Sequence, residues 1–85
     1  MVLYVREPAE FKAGHLPRAI NIPPRVLELK IGQKVKEKDT PILIYGGTDG
    51  RSSLAAYSLK RMGYINIYNM WGGFMAWKER GFPIE

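Results

Sequence analysis

The sequence predicts an α/β fold, with a small, mostly parallel sheet of about four strands and helices on both faces. Short β-rich apolar runs alternate along the chain with segments of helical periodicity. The central run, Ile42-Leu43-Ile44-Tyr45, stops at a glycine-rich loop, and a helical pattern starts at once beyond it. No internal repeat or low-complexity segment interrupts the alternation.

Taken in order, Val2 to Val5 reads as a buried strand. Arg6 to Gly14 carries Pro8 where a helix accepts proline and Gly14 where a helix stops, which predicts roughly one or two helical turns. His15 to Arg18 is irregular, and Ala19 to Ile22 is a second strand ended by Pro23 and Pro24. From Arg25 the apolar positions Val26 and Leu29, with Leu27, repeat at helical spacing, and Gly32 is expected to limit that helix. Lys34 to Thr40 is a charged connector, and Pro41 opens the central strand. Beyond the loop, a helix from Arg51 buries a stripe of Ala55, Leu59 and Met62 and ends at Gly63. Tyr64 to Tyr68 is the fourth strand, and a last helix turns Phe74 and Trp77 inward before Gly81 stops it.

The 85 residues read as one domain, 1–85, near the lower limit for a chain without disulfides or a metal to brace it. Apolar residues at 46% and charged residues at 25% are the balance of an ordinary globular protein, not a disordered one. The net charge of +5 is spread along the chain, and Lys34, Lys36 and Lys38 are interleaved with Glu37 and Asp39, so it gives no nucleic-acid motif. The longest apolar run is about five residues against the ~20 needed to cross a bilayer, and no signal-peptide pattern is present, so a cytoplasmic protein without membrane contact is expected. His15, the single histidine, has neither cysteines nor clustered carboxylates around it, and no metal or other cofactor is expected.

The loop carries the chemistry. Three of the six residues from Gly46 to Arg51 are glycine, so the backbone can adopt positive φ and turn its N–H groups inward. A concave ring of such donors attracts anions, and the following helix adds its unpaired first-turn N–H groups and the positive end of its dipole.

Four motifs in order resemble the rhodanese (sulfurtransferase) family. The loop closed by Arg51-Ser52 is similar to that family's active-site loop. Val5-Arg6-Glu7-Pro8-Ala9-Glu10-Phe11 is similar to its Asp-Val-Arg-x-x-x-Glu-Phe motif. Gly14 to Pro23 resembles Gly-His-Ile-x-Gly-Ala-x-Asn-Ile-Pro, and Gly72-Gly73-Phe74-Met75-Ala76-Trp77 resembles Gly-Gly-x-x-Ala-Trp. The resemblance implies a rhodanese-like fold lacking the family's usual first strand and helix. It also implies sulfur transfer from thiosulfate or polysulfide through a cysteine persulfide to an acceptor such as cyanide or a thiol protein. The cysteine position is Gly46, and the chain contains no cysteine. A thiolate is needed to attack the donor's outer sulfur, so the chain as written is expected to be inactive. The other expectation is a non-catalytic module that binds an anion or a protein. The resemblance further implies that a loop of six residues, the count from Gly46 to Arg51, suits sulfur, whereas the rhodanese-fold phosphatases use one more.

The candidate site is therefore Gly46, Gly47, Thr48, Asp49, Gly50, Arg51 and Ser52, with Gly46 the vacant nucleophile position and Arg6 and Trp71 candidates for the pocket rim. Arg51 reads either as a brace on loop carbonyls or as an anion clamp. Thr48 reads as an anion donor or a simple turn residue. Asp49 opposes an anion unless it points outward and accepts N–H bonds. Arg6 follows the first strand, at the edge where open α/β sheets place ligands. The Asp of the early motif is Tyr4, which removes a carboxylate that would anchor nearby backbone.

Overall fold

The computed structural model describes residues 1–47, 49–70 and 72–85, with residues 49–51 described by their helical backbone alone. In chain order the elements are β1 (Val2–Tyr4), α1 (Pro8–Ala13), β2 (Ala19–Asn21), a 3-10 turn (Pro24–Val26), α2 (Leu27–Lys34), β3 (Ile42–Tyr45), α3 (Asp49–Arg61), β4 (Ile67–Asn69) and α4 (Gly73–Glu79). The four strands form one sheet in the order β2-β1-β3-β4, and every described pairing is parallel. Leu3 stands opposite both Ile20 and Ile44, which places β1 and β3 at the centre of the sheet.

Side chains alternate across a strand, and here the alternation feeds two different cores. Leu3, Val5, Ile42 and Ile44 face Leu27, Ile31, Ala55, Ala56 and Leu59, an aliphatic layer under α2 and α3. Tyr4 and Tyr45 face the other way with Leu16, and Phe11, Phe74 and Trp77 of α1 and α4 close over them. The Tyr4 and Tyr45 rings stack with centroids 4.5 Å apart. The position read as a lost carboxylate anchor is thus occupied by a buried ring, 1% exposed, in the smaller core.

Besides β1 and β2 each ending one residue early, at Tyr4 and Asn21, three boundaries depart from the sequence reading. Gly32 does not limit α2, which runs on to Lys34; no atom lies within 4 Å of where its Cβ would be, so it sits on the open face and costs only its helix propensity. The buried stripe there is Leu27 and Ile31, one turn apart, while Leu29 is 78% exposed. β4 starts at Ile67 and not at Tyr64, because residues 64–65 are used elsewhere. The Tyr64 hydroxyl donates to the Val35 carbonyl at 2.6 Å, and the Ile65 N–H to Lys38 at 3.1 Å. Finally, α3 begins at Asp49, two residues before the expected Arg51.

The C-terminal residues return across the turn before β2. His15 and Glu85 exchange backbone hydrogen bonds of 3.1 and 2.8 Å, and the Trp77 indole N–H donates to the Pro83 carbonyl at 2.6 Å. His15 holds this turn structurally, its Nδ1 2.8 Å from the Phe11 carbonyl and its ring stacked on Phe11. Arg18 in the same turn has φ of 65°, the only positive φ outside glycine among the described residues.

Candidate active-site loop

The strand order fixes where a ligand crevice opens. From β1 the chain moves outward to β2, and from β3 it moves the opposite way to β4, so the segments after β1 and β3 part from each other. In open parallel sheets ligands bind at this switch point, beyond the carboxyl ends of the strands. The two segments concerned begin with Val5-Arg6 and Gly46-Gly47, held side by side by the Val5 N–H bond to the Tyr45 carbonyl at 2.9 Å.

Gly46 and Gly47 are both buried. The Gly46 carbonyl accepts from the Phe74 N–H at 2.8 Å, and the Gly47 carbonyl from the Met75 N–H at 3.4 Å. First-turn donors of α4 are therefore satisfied by the loop. Because C=O and the next N–H point oppositely across a trans peptide, the Gly47 N–H is directed away from α4. Gly47 achieves this without positive φ, contrary to the reason given for the loop's glycines. The conformational freedom of glycine is used in the partner segment instead, where Gly73 has φ of 60° and a Cβ there would lie 2.5 Å from the Gly46 oxygen.

What Gly47 supplies is space. A Cβ on it would lie 2.7 Å from the Arg6 Cζ, so the guanidinium occupies the room a side chain would take. Arg6 is held in that position from two sides: Nη1 donates to the Tyr4 hydroxyl at 3.3 Å, and Nη2 pairs with Glu10 Oε2. Glu10 Oε1 in turn accepts the Glu7 N–H at 3.0 Å, which fixes the start of α1 against the same pair. The Asn21 side-chain amide donates to the carbonyls of Tyr4 and Arg6 at 3.1 and 2.8 Å, fixing the backbone beneath. Arg25 pairs with Glu7 farther out. Tyr45, the last residue before the loop, is fully buried, and burial pushes its hydroxyl pKa up to about 12; neighbouring Tyr4 adds to the rise and the 3.0 Å bond from the Leu16 N–H opposes it.

Of the residues assigned to the site from sequence, the structure brings Gly46, Gly47 and Arg6 together, and Ser52 is fully buried on α3. Thr48 and Trp71 lie outside the described residues, as do the side chains of Asp49 and Arg51, although α3 includes their backbone along with that of Gly50. Sequence reasoning gave Tyr4, Glu10 and Gly73 no part in the site. The signal for Gly73 was available in the glycine doublet that opens α4, read only as a lead into the helix. Among the described residues no group of His, Cys, Asp or Glu has the arrangement of a metal site.

The strand order and the glycine loop at its switch point define a small parallel α/β domain built around one loop–helix junction. The rhodanese-like domain family matches residues 2–80, and the chain belongs to that family. A sulfurtransferase from Allochromatium vinosum is 31% identical over 84 residues, which span 99% of this chain and 77% of that protein. The protein YqhL of Bacillus subtilis is 41% identical over 73 residues, but the match spans only 56% of its length. Among solved structures, a rhodanese-related protein from Thermoplasma volcanium has a TM-score of 0.86 at 36% identity, covering 99% of this chain and 81% of that one. A thiosulfate sulfurtransferase from Pseudomonas aeruginosa has a TM-score of 0.91 at 35% identity, covering 98% of this chain and 16% of that one.

Proposed function

We propose that this chain is a sulfurtransferase scaffold of the rhodanese type that does not perform the covalent step itself, because Gly46 stands at the nucleophile position and no cysteine is present to replace it. The observation that carries the reading is the loop geometry: the carbonyls of Gly46 and Gly47 are committed to α4, which directs the Gly47 N–H to the other side of the loop. Its ligand is a small sulfur-containing anion such as thiosulfate or polysulfide, with an acceptor thiol protein as the partner, in the cytoplasm. No helix among the described residues is long and apolar enough to cross a membrane. The absence of any thiol favours a second reading, a module that holds an anion or a protein without chemistry.

Replacing Gly46 by cysteine tests the scaffold. The new thiolate would attack the outer sulfur of thiosulfate, the S–S bond would break with its electron pair leaving on sulfite, and the enzyme would retain a persulfide that cyanide removes as thiocyanate. Intact mass should show one added sulfur on Gly46→Cys and none on the parent, and only the variant should form thiocyanate. A folded but inert variant would leave the binding module as the reading; thiocyanate formed by the parent would refute the inactivity.

A further inference from the structure

We infer that Gly47 and Arg6 form one specificity-determining unit: the bare α-carbon at 47 admits the Arg6 guanidinium into the wall of the loop, where it is the cation that receives the oxyanion end of the ligand. This rests on the scaffold reading and names the residue that would give it anion selectivity.

The geometry has three parts. Arg6 and Gly47 flank the switch point from opposite sides, on the segments that part after β1 and β3, so a ligand entering the crevice meets both. The guanidinium fills the volume of a residue-47 side chain, being 2.7 Å from the Cβ position at Cζ and 3.1 Å at Nε. Arg6 is also oriented by two partners while its side chain remains 26% exposed, with Tyr4 on Nη1 and Glu10 on Nη2. A guanidinium carries five N–H donors. The described partners, Tyr4 and Glu10, take one each, and the remaining donors include the Nε–H on the Gly47 side. A fork already fixed by its neighbours loses little conformational freedom on binding, and its planar donors match the oxygens of a sulfonate or sulfate group.

The Gly47 requirement makes the unit separable from folding. The atoms a new Cβ would meet belong to the far end of a flexible side chain and not to backbone, and Gly47 has no positive φ. Alanine at 47 therefore displaces the guanidinium without straining the loop.

The test is binding of thiosulfate and of sulfate to the chain with Gly46 in place, by calorimetry at low ionic strength, with the Arg6 Nε–H followed by NMR. No thiol is needed, so the result is independent of whether Gly46→Cys forms a persulfide. The native chain should bind both anions and shift the Arg6 Nε–H. Gly47→Ala and Arg6→Ala should each weaken binding about tenfold, the loss of one charge-assisted contact. The double variant should be no weaker than Arg6→Ala alone, since the alanine acts only through Arg6. Arg6→Lys, which keeps the charge but loses the fork, repeats the cycle should Arg6→Ala not fold. Failure of the native chain to bind either anion, full affinity in Gly47→Ala, or losses that add in the double variant would each overturn the inference.

Discussion

The contact between the loop and α4 turns on Gly73, and Gly73→Ala measures it. The residue sits at φ of 60°, where a Cβ costs about 1–2 kcal/mol. That Cβ would also lie 2.5 Å from the Gly46 oxygen and 3.1 Å from the Gly47 carbonyl carbon and oxygen. These are backbone atoms with no rotamer to yield, so overpacking adds about 1–3 kcal/mol. The sum, about 2–5 kcal/mol, is a large part of the ~5–15 kcal/mol that holds a typical domain together. Gly81 provides the control: its φ is 72°, but nothing lies within 4 Å of its Cβ position, so Gly81→Ala carries the backbone cost alone. Urea unfolding of both variants should show Gly73→Ala the less stable by about 1–3 kcal/mol, the overpacking component. The Phe74 amide, which donates to Gly46 at 2.8 Å, should lose hydrogen-exchange protection in Gly73→Ala and keep it in Gly81→Ala. Equal losses of stability in the two, with Phe74 still protected, would refute the idea that α4 locks the loop by close approach.

Two further outcomes follow from single side chains. Tyr45 keeps its proton until about pH 12 in the folded state, while the unfolded chain releases it near 10. The native state therefore holds more protons over that window, and stability should be intact below pH 10 and fall by ~2–3 kcal/mol as pH rises through it. Alkaline unfolding curves of the parent and Tyr45→Phe would differ in slope there; identical slopes would refute the assignment. Arg18→Gly removes a side chain from the left-handed region at φ of 65° and should raise stability by up to ~1 kcal/mol, less the added freedom of the unfolded chain. A thermal midpoint below that of the parent would show that the Arg18 side chain outweighs the strain.

Much of this architecture was legible in the sequence because its punctuation is local. Pro8 opens α1, Gly63 and Gly81 take positive φ just past α3 and α4, and the apolar stripe of α3 follows helical spacing through Ala55 and Leu59. The misreadings arose where tertiary partners decide. In α2 the apolar residues offer two helical stripes, and only the sheet beneath selects Leu27 and Ile31 over Leu29. In 64–66 a β-rich run is diverted by the Tyr64 bond to Val35, which lies 29 residues away in sequence. At the site, the loop could be found from its glycines, but not what each glycine does. That Gly47 makes room for Arg6 and Gly73 for the Gly46 carbonyl depends on contacts between segments remote in sequence.

The C-terminal return gives the domain a clasp fastened by main chain and side chains together. The reciprocal bonds between His15 and Glu85 and the indole bond to Pro83 fix the path of residues 82–85, while the Phe82 ring packs edge-on to Trp77 and Glu85 Oε1 accepts the Arg18 N–H at 3.1 Å. A protease nick in residues 82–85 would also release the turn ahead of β2, so two stretches at opposite ends of the sequence should come loose as one piece.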